Sequence, residues 1–394
     1  MKFSDRTKDL HTTVDIYPNL FGGVSGQTNL GPGDPRLPIP DHVVEAVEGS
    51  IRGGRTGYTD VGGLLDLRTA ICLYFSNHHG IEYAQSEVIV GVGSKQLLAN
   101  TLLATVNPDD EVILIAPFYP VYLQMVIFAG GTPVVIPTTA SEGFRLPVER
   151  IRAALTDRTR WIIINSPNNP TGAIYSRGEL LGAVEALNDF PNAGIIADQV
   201  YELLTFDGVV APTSAAVSDE GKRRTLAIAG ISKAYAMTGF RVGFAAGDAE
   251  LIAMLSRLSY VTTSATATTS QYAALAALSG PQDAVYAGRE RGRRFSEVCR
   301  RVLGNESRLG FVEPQAGMYS FVDCTRLLGT TTASGQLIET DIDLVAYMAD
   351  EARTQLMPGT MFGCPGHFRV TFAAKDQEFQ DALTRVADAL GRLR

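Results

Sequence analysis

The sequence predicts an α/β protein in which a mostly parallel, seven-stranded sheet is covered by helices and joined to a smaller α+β domain. Three observations carry this. Seven short runs rich in Val and Ile are strand-sized, at Val88–Val92, Glu111–Ala116, Thr132–Ile136, Trp161–Asn165, Gly194–Ala197, Thr225–Ala229 and Val242–Ala246, and helical patterns lie between several of them. Such alternation implies a largely parallel sheet with helices on both faces. At 394 residues the chain exceeds the size at which one core stops growing, so two domains are expected. The tail has a different texture: Phe311–Asp323 and Phe368–Phe372 read as strands and Asp376–Arg394 as an amphipathic closing helix. The expected division is a large domain over 41–290 and a small one built from 1–40 and 291–394.

The composition is that of a globular chain, 45% hydrophobic and 19% charged, with a formal net charge of −8. A field of this sign argues against non-specific binding to nucleic acid or anionic membrane and leaves a small molecule as the expected partner. Cys72, Cys299, Cys324 and Cys364 are scattered without CxxC or Cys/His spacing, so neither a disulfide framework nor a metal site is expected. The start, Met1 to Asp9, lacks an apolar signal core, and no apolar run approaches the about 18 residues that span a bilayer. The expected location is the cytoplasm.

In an α/β sheet, ligands bind where the strands end and the loops begin, and the informative residues follow the apolar runs. Gly91-Val-Gly-Ser-Lys-Gln96 leaves the first run and enters a helix expected to start near Gln96, a place suited to phosphate. A dinucleotide fingerprint would need glycine at position 96, so that reading fails. Ala116-Pro-Phe-Tyr119 follows the second run. Ser166-Pro-Asn-Asn-Pro-Thr-Gly172 follows the fourth, with Pro and Gly stiffening the loop so that an Asn amide can be aimed inward. Asp198 ends the fifth, three residues before Tyr201. After the sixth comes Gly230-Ile-Ser-Lys-Ala-Tyr-Ala-Met-Thr-Gly-Phe-Arg241. A lysine acts as a nucleophile only as the neutral amine, against a reference pKa of about 10.4, and an apolar setting such as that of Lys233 favours the neutral form. Arg241 offers a guanidinium fork to a phosphate, with Ser232 a lesser donor.

The pattern Ser232, Lys233, Gly239, Arg241, Gly243 resembles the lysine motif of the fold-type I pyridoxal-phosphate enzymes, in particular the class I/II aminotransferases, and the resemblance extends over about residues 27–390. It implies the aminotransferase fold type I and pyridoxal 5'-phosphate attached to Lys233. It further implies that Asp198 pairs with the pyridine nitrogen, Tyr201 and Asn169 with the 3'-oxygen, and Tyr119 with the ring face. Gly93, Ser94 and the backbone of Lys95 would take the phosphate with Arg241. Arg369, in Phe368-Arg-Val-Thr-Phe372, would grip the substrate α-carboxylate, and Gly33, in Asn29-Leu-Gly-Pro-Gly-Asp-Pro35, would approach the same group. Tyr58, in Gly57-Tyr-Thr-Asp-Val-Gly-Gly-Leu-Leu-Asp-Leu-Arg68, would reach the phosphate of a second subunit, which implies a homodimer with shared sites.

Transfer of an amino group from an amino acid to a 2-oxo acid is the implied reaction. The same constellation supports elimination, replacement or condensation at the β or γ carbon, and a non-catalytic ligand sensor on the same fold is a further alternative. Gln199 stands where most relatives carry Glu. Two further departures bear on substrate choice: the N-terminal forty residues read as shorter than in typical members and without an obvious substrate-binding loop, and Gly317-Met-Tyr-Ser320 replaces Gly-x-Phe-Tyr. The ammonium of Lys95 is open to two readings, a contact to the distal carboxylate of a dicarboxylic substrate or a packed or solvated side chain. Arg289, Arg291, Arg293, Arg294, Arg300 and Arg301, with Glu290 and Glu297 interleaved, read as a solvated helix face. His78 and His79 read as loop residues without partners.

Overall fold

A computed structural model describes residues 24–394 together with Ser4, Thr7, Lys8 and Leu10. Up to residue 23, the expected membership of 1–40 in a small domain therefore bears mainly on positions outside the described residues. The first helices are α1 (Asp41–Arg52) and α2 (Leu65–His79), and the large sheet begins with β1 (Val88–Val92). There follow α3 (Ser94–Thr105), β2 (Glu111–Ala116), α4 (Val121–Ala129), β3 (Thr132–Pro137), α5 (Val148–Ala154), β4 (Thr159–Asn165), α6 (Arg177–Ala186), β5 (Gly194–Asp198), α7 (Asp219–Arg224), β6 (Thr225–Gly230) and β7 (Val242–Ala246). The strand order is β1-β7-β6-β5-β4-β2-β3. Every pairing from β6 through β3 is parallel, and β7 alone runs against both its neighbours. Only a loop with a short 3₁₀ turn (Thr238–Phe240) joins β6 to β7, with no crossover helix, as an antiparallel pair allows.

The continuous apolar runs are explained by burial on both faces. In β2, Val112 and Leu114 join Leu97, Tyr122 and Val126 on one side, while Ile113 and Ile115 join Leu180 and Val184 on the other. In β4, Trp161 and Ile163 take the first side and Ile162 and Ile164 the second. Helices α3 and α4 thus cover one face and α5 and α6 the other. At the β1 end, Val88, Val90, Val242 and Phe244 pack with Leu67, Ile71 and Phe75 of α2.

After β7 the chain is helical through α8 (Ala249–Thr262), α9 (Thr268–Ser279) and α10 (Asp283–Leu303), which runs unbroken past position 290. A four-stranded antiparallel sheet follows, built from β8 (Gly310–Phe311), β9 (Tyr319–Asp323), β10 (Met357–Pro358) and β11 (His367–Thr371) in the order β10-β11-β9-β8, with α11 (Asp341–Glu351) and α12 (Asp376–Leu390) beside it. Phe295 of α10 stacks on Phe379 of α12 at 4.3 Å. A short parallel pairing joins Thr28–Asn29 to Thr354–Gln355. The strand expected over Phe311–Asp323 is two strands, because the intervening loop through Pro314 and Gly317 bonds elsewhere: Phe206 N donates to Gln315 O and Gly317 N to Leu204 O.

Two surface expectations are corrected. His78 and His79 are not in a loop but complete α2, which stops at Gly80 in the left-handed region (φ 67°). The His79 side chain is 4% exposed, with Nε2 at 2.6 Å from Glu202 Oε2. The arginines of α10 are not uniformly solvated. Arg293, Arg294 and Arg300 make exposed ion pairs, but Arg289 donates to Leu203 O, and Arg291 lies over Phe295 and donates to Pro35 O, Phe372 O and Ala374 O. These acceptors come from distant segments, which local charge spacing does not reveal.

Candidate active site

The parallel strands β2, β4, β5 and β6 all end at one edge of the sheet, and β7, being reversed, begins there. A cavity of about 680 Å³ opens at this edge. It is lined by Tyr119 after β2, Asn165 and Asn169 at and after β4, Asp198 and Tyr201 at and after β5, Ser232 and Lys233 after β6, and Arg241 before β7. Ser94 and Lys95 enter from the first turn of α3, which starts two residues earlier than expected, and Arg369 from β11. Gly33 lies on the lining as well.

Gly93 and Arg241 build one end. Gly93 has φ 77°, and a side chain there would run into the Arg241 guanidinium. Arg241 itself is left-handed (φ 56°) and donates from Nη1 to Thr238 O at 2.6 Å. A guanidinium beside the amino end of a helix is a place for a phosphate.

Asp198 is buried, and in register it pairs with Asn165 of β4. Its Oδ2 accepts from the Tyr122 hydroxyl at 2.5 Å, and its main-chain oxygen from Asn165 Nδ2 at 2.9 Å. Burial raises its carboxyl to about 6, opposed by the Tyr122 bond, the Val200 amide and the Lys233 charge. Lys233 Nζ donates to Gly33 O at 2.6 Å. Burial pushes its ammonium down to about 8; Asp34 opposes this, while Arg369, Arg241 and Lys95 add to it.

At the other end Arg369 is buried. It donates from Nη1 to Asn169 Oδ1 at 2.8 Å and from Nη2 to Gly31 O and Met357 Sδ, with its guanidinium 4.3 Å from the Tyr319 ring centre. Its Nε has no partner among the described residues. Asn169 Nδ2 reaches the Tyr201 hydroxyl at 3.5 Å, and that hydroxyl lies 2.8 Å from the Tyr319 hydroxyl. Lys95 Nζ sits 5.7 Å from the centre of the Tyr119 ring. Tyr58 is not in the cavity: it is 98% exposed.

Tyr122, Asn165, Tyr319 and Asp34 belong to the site although sequence reasoning passed over them. Tyr122 stands in the first turn of α4, three residues after Tyr119, and the two rings meet edge to face at 5.5 Å. Asn165 is a polar residue closing an apolar run, the same signal that marked Asp198. Gln199 also has a structural account: its amide donates to Glu202 Oε2 at 2.9 Å and its carbonyl accepts from Thr213 Oγ1 at 2.9 Å.

These features fit pyridoxal phosphate: a lysine biased toward the neutral amine, a buried carboxylate able to meet a protonated pyridine nitrogen, an anion cradle that a Cβ at 93 would fill, and an unspent guanidinium nitrogen on Arg369. Together they define a site for cofactor-dependent chemistry on amino acids. The chain belongs to the aminotransferase class I and II family, which it matches over residues 25–386. An aspartate/prephenate aminotransferase of Cereibacter sphaeroides is 39% identical over 357 residues, covering 91% of this chain and 89% of that protein. The crystal structure of the aspartate aminotransferase from Rhizobium meliloti superposes with a TM-score of 0.95 at 35% identity, covering all of both chains. That of Thermus thermophilus with maleate gives 0.90 at 30% identity, covering 99% and 100%. The protein is a fold-type I, pyridoxal-phosphate-dependent aminotransferase that moves an amino group from an amino acid to a 2-oxo acid. This selects transamination from the reactions that the sequence motifs leave open. No helix among the described residues is long and apolar enough to cross a membrane.

Proposed function

We propose that the amino donor is a dicarboxylic amino acid of the aspartate or glutamate type and that the cavity residues divide the work as follows. One observation carries the substrate reading: besides Lys233, four cationic side chains, Arg36, Lys95, Arg241 and Arg369, line the cavity. With Arg241 assigned to the phosphate and Arg369 to the α-carboxylate, Arg36 and Lys95 are left to face a further anion. The names of the relatives, aspartate and aspartate/prephenate aminotransferases, and the maleate in the Thermus structure point the same way.

Arg241, Ser94, Gly93 and the backbone of Lys95 hold the cofactor phosphate, with Ser232 a further donor. Tyr119 covers the ring face, and Asn169 and Tyr201 orient the 3'-oxygen. Pyridoxal phosphate, when bound, supplies an electron sink for the substrate Cα. Asp198 holds a proton on the pyridine nitrogen, and Tyr122 fixes the carboxylate that does so. Lys233 would hold the cofactor, and as a free amine it would take the proton from the substrate Cα. Arg369 orients the α-carboxylate, and Gly33 lets it approach. The Lys95 ammonium attracts the distal carboxylate.

The division into 41–290 and 1–40 with 291–394 stands as our proposal for the two domains, and the cytoplasm as our proposal for location. We also assign a homodimer, in which the exposed Tyr58 reaches the phosphate of the neighbouring site. Borohydride reduction and peptide mapping test the central assignment: the reduced cofactor is expected on Lys233, and recovery on another lysine refutes it. Half-reactions with a panel of amino acids test the donor, with aspartate and glutamate expected to convert the bound cofactor at lower concentrations than alanine or phenylalanine.

A further inference from the structure

Arg36 has no part in the division of labour above, yet it lines the cavity. It stands three residues after Gly33, whose carbonyl accepts from the reacting lysine, so its loop lies against the chemistry. Its backbone is left-handed (φ 51°), a conformation that residues with a side chain seldom adopt and that surrounding structure must impose. Its charge is almost unspent. The one polar contact of the Arg36 side chain among the described residues is Nε to Asp34 Oδ2 at 4.0 Å, beyond hydrogen-bond range, with the side chain 47% exposed. Asp34 is itself engaged, its Oδ1 accepting from Thr238 Oγ1 at 2.9 Å.

The other arginines of the cavity are committed. Arg369 has acceptors on Asn169, Gly31 and Met357, and Arg241 is tied to Thr238 beside the amino end of α3. Arg36 is therefore the guanidinium left to meet a second anionic group. Its planar fork takes a carboxylate through two parallel bonds, which the point charge of Lys95 cannot do.

We propose that Arg36 is a specificity-determining residue that binds the distal carboxylate of a dicarboxylic substrate, in concert with Lys95 and in exchange for its loose contact to Asp34. This rests on the dicarboxylic reading of the cavity. The test compares the holoenzyme with its Arg36→Gln and Arg36→Lys variants in two measurements. One is the ratio of kcat/KM for aspartate to that for alanine; the other is the calorimetric affinity for succinate against butyrate. Arg36→Gln is expected to lower both ratios about tenfold, the scale of a charge-assisted contact in a half-open site. Arg36→Lys is expected to restore part of the loss. Equal changes for mono- and dicarboxylic ligands, as a purely structural role gives, overturn the proposal, and so do unchanged ratios in a wild type that prefers dicarboxylates. A wild type with no preference for dicarboxylates overturns the substrate reading itself, and the Arg36 assignment with it.

Discussion

Replacing Asp198 by Asn in the cofactor-free protein isolates the cost of keeping an ionised carboxylate under the sheet edge. Asn preserves the shape and still accepts from the Tyr122 hydroxyl, so what is removed is the charge. Raising a carboxyl from 3.8 to about 6 costs about 3 kcal/mol once the group is ionised, at 1.36 kcal/mol per tenfold change in acidity. The sign follows from proton counting. Between 3.8 and about 6 the folded state binds more protons at this site than the unfolded state, so the site loses stability as pH rises through that window. At pH 3.5 both states are mostly protonated and the penalty is nearly absent; at pH 7 it is complete. Urea unfolding of wild type and Asp198→Asn, followed from pH 3.5 to 7.5 at one protein concentration, gives the difference between the two curves. That difference is expected to shift in favour of the variant by about 3 kcal/mol across the window. Parallel curves would refute the argument, since they would mean that Asp198 ionises as it does in water. With cofactor bound, the ranking is expected to reverse, because a protonated pyridine nitrogen gives the carboxylate a partner that Asn cannot match.

Gln199→Glu is expected to destabilise the protein by about 1–3 kcal/mol, since a carboxylate would then face Glu202 in a buried network; thermal melting above pH 6 checks this, and an unchanged melting temperature would contradict it. Arg369→Lys is expected to cut kcat/KM about 10- to 100-fold for every amino acid donor alike, because the fork we assign to the α-carboxylate is lost. Steady-state kinetics with aspartate and alanine would show this, and a loss confined to aspartate would move Arg369 to the distal group instead.

Six of the seven large strands were legible because they are buried on both sides, so the apolar run is continuous and its ends are abrupt, whereas the edge strand β3 is largely open and shows only its Val and Ile content; Val88–Val92, Glu111–Ala116 and Val242–Ala246 match their expected bounds. The residues that close those runs, Asp198 foremost, announce themselves as polar interruptions at a place where ligands bind. What stayed hidden depends on contacts between distant segments. The helical position of His79 follows from α2, but its burial depends on Glu202, more than a hundred residues away. Arg291 looks like its neighbours on α10 until Pro35, Phe372 and Ala374 are brought to it. Arg36 lies in a loop whose place over the cavity is set by the lysine bond to Gly33 and by the short pairing of Thr28–Asn29 with Thr354–Gln355.

The reversed strand β7 has a consequence for the order in which the molecule is made. β1 has a single ladder partner, and that partner is β7, synthesised about 150 residues later. Until β7 emerges, β1 has no place in the sheet, and the amino end of α3 has neither Arg241 beside it nor the close crossing of Gly243 against the Ser94 amide. The phosphate cradle is therefore assembled only when two segments far apart in the chain meet, a closure of high sequence separation that slows folding. Arg369 arrives later still, on β11. In the division of roles proposed above, the residues for the cofactor phosphate are therefore all synthesised by Arg241, whereas Arg369 for the substrate carboxylate comes only with the last third of the protein.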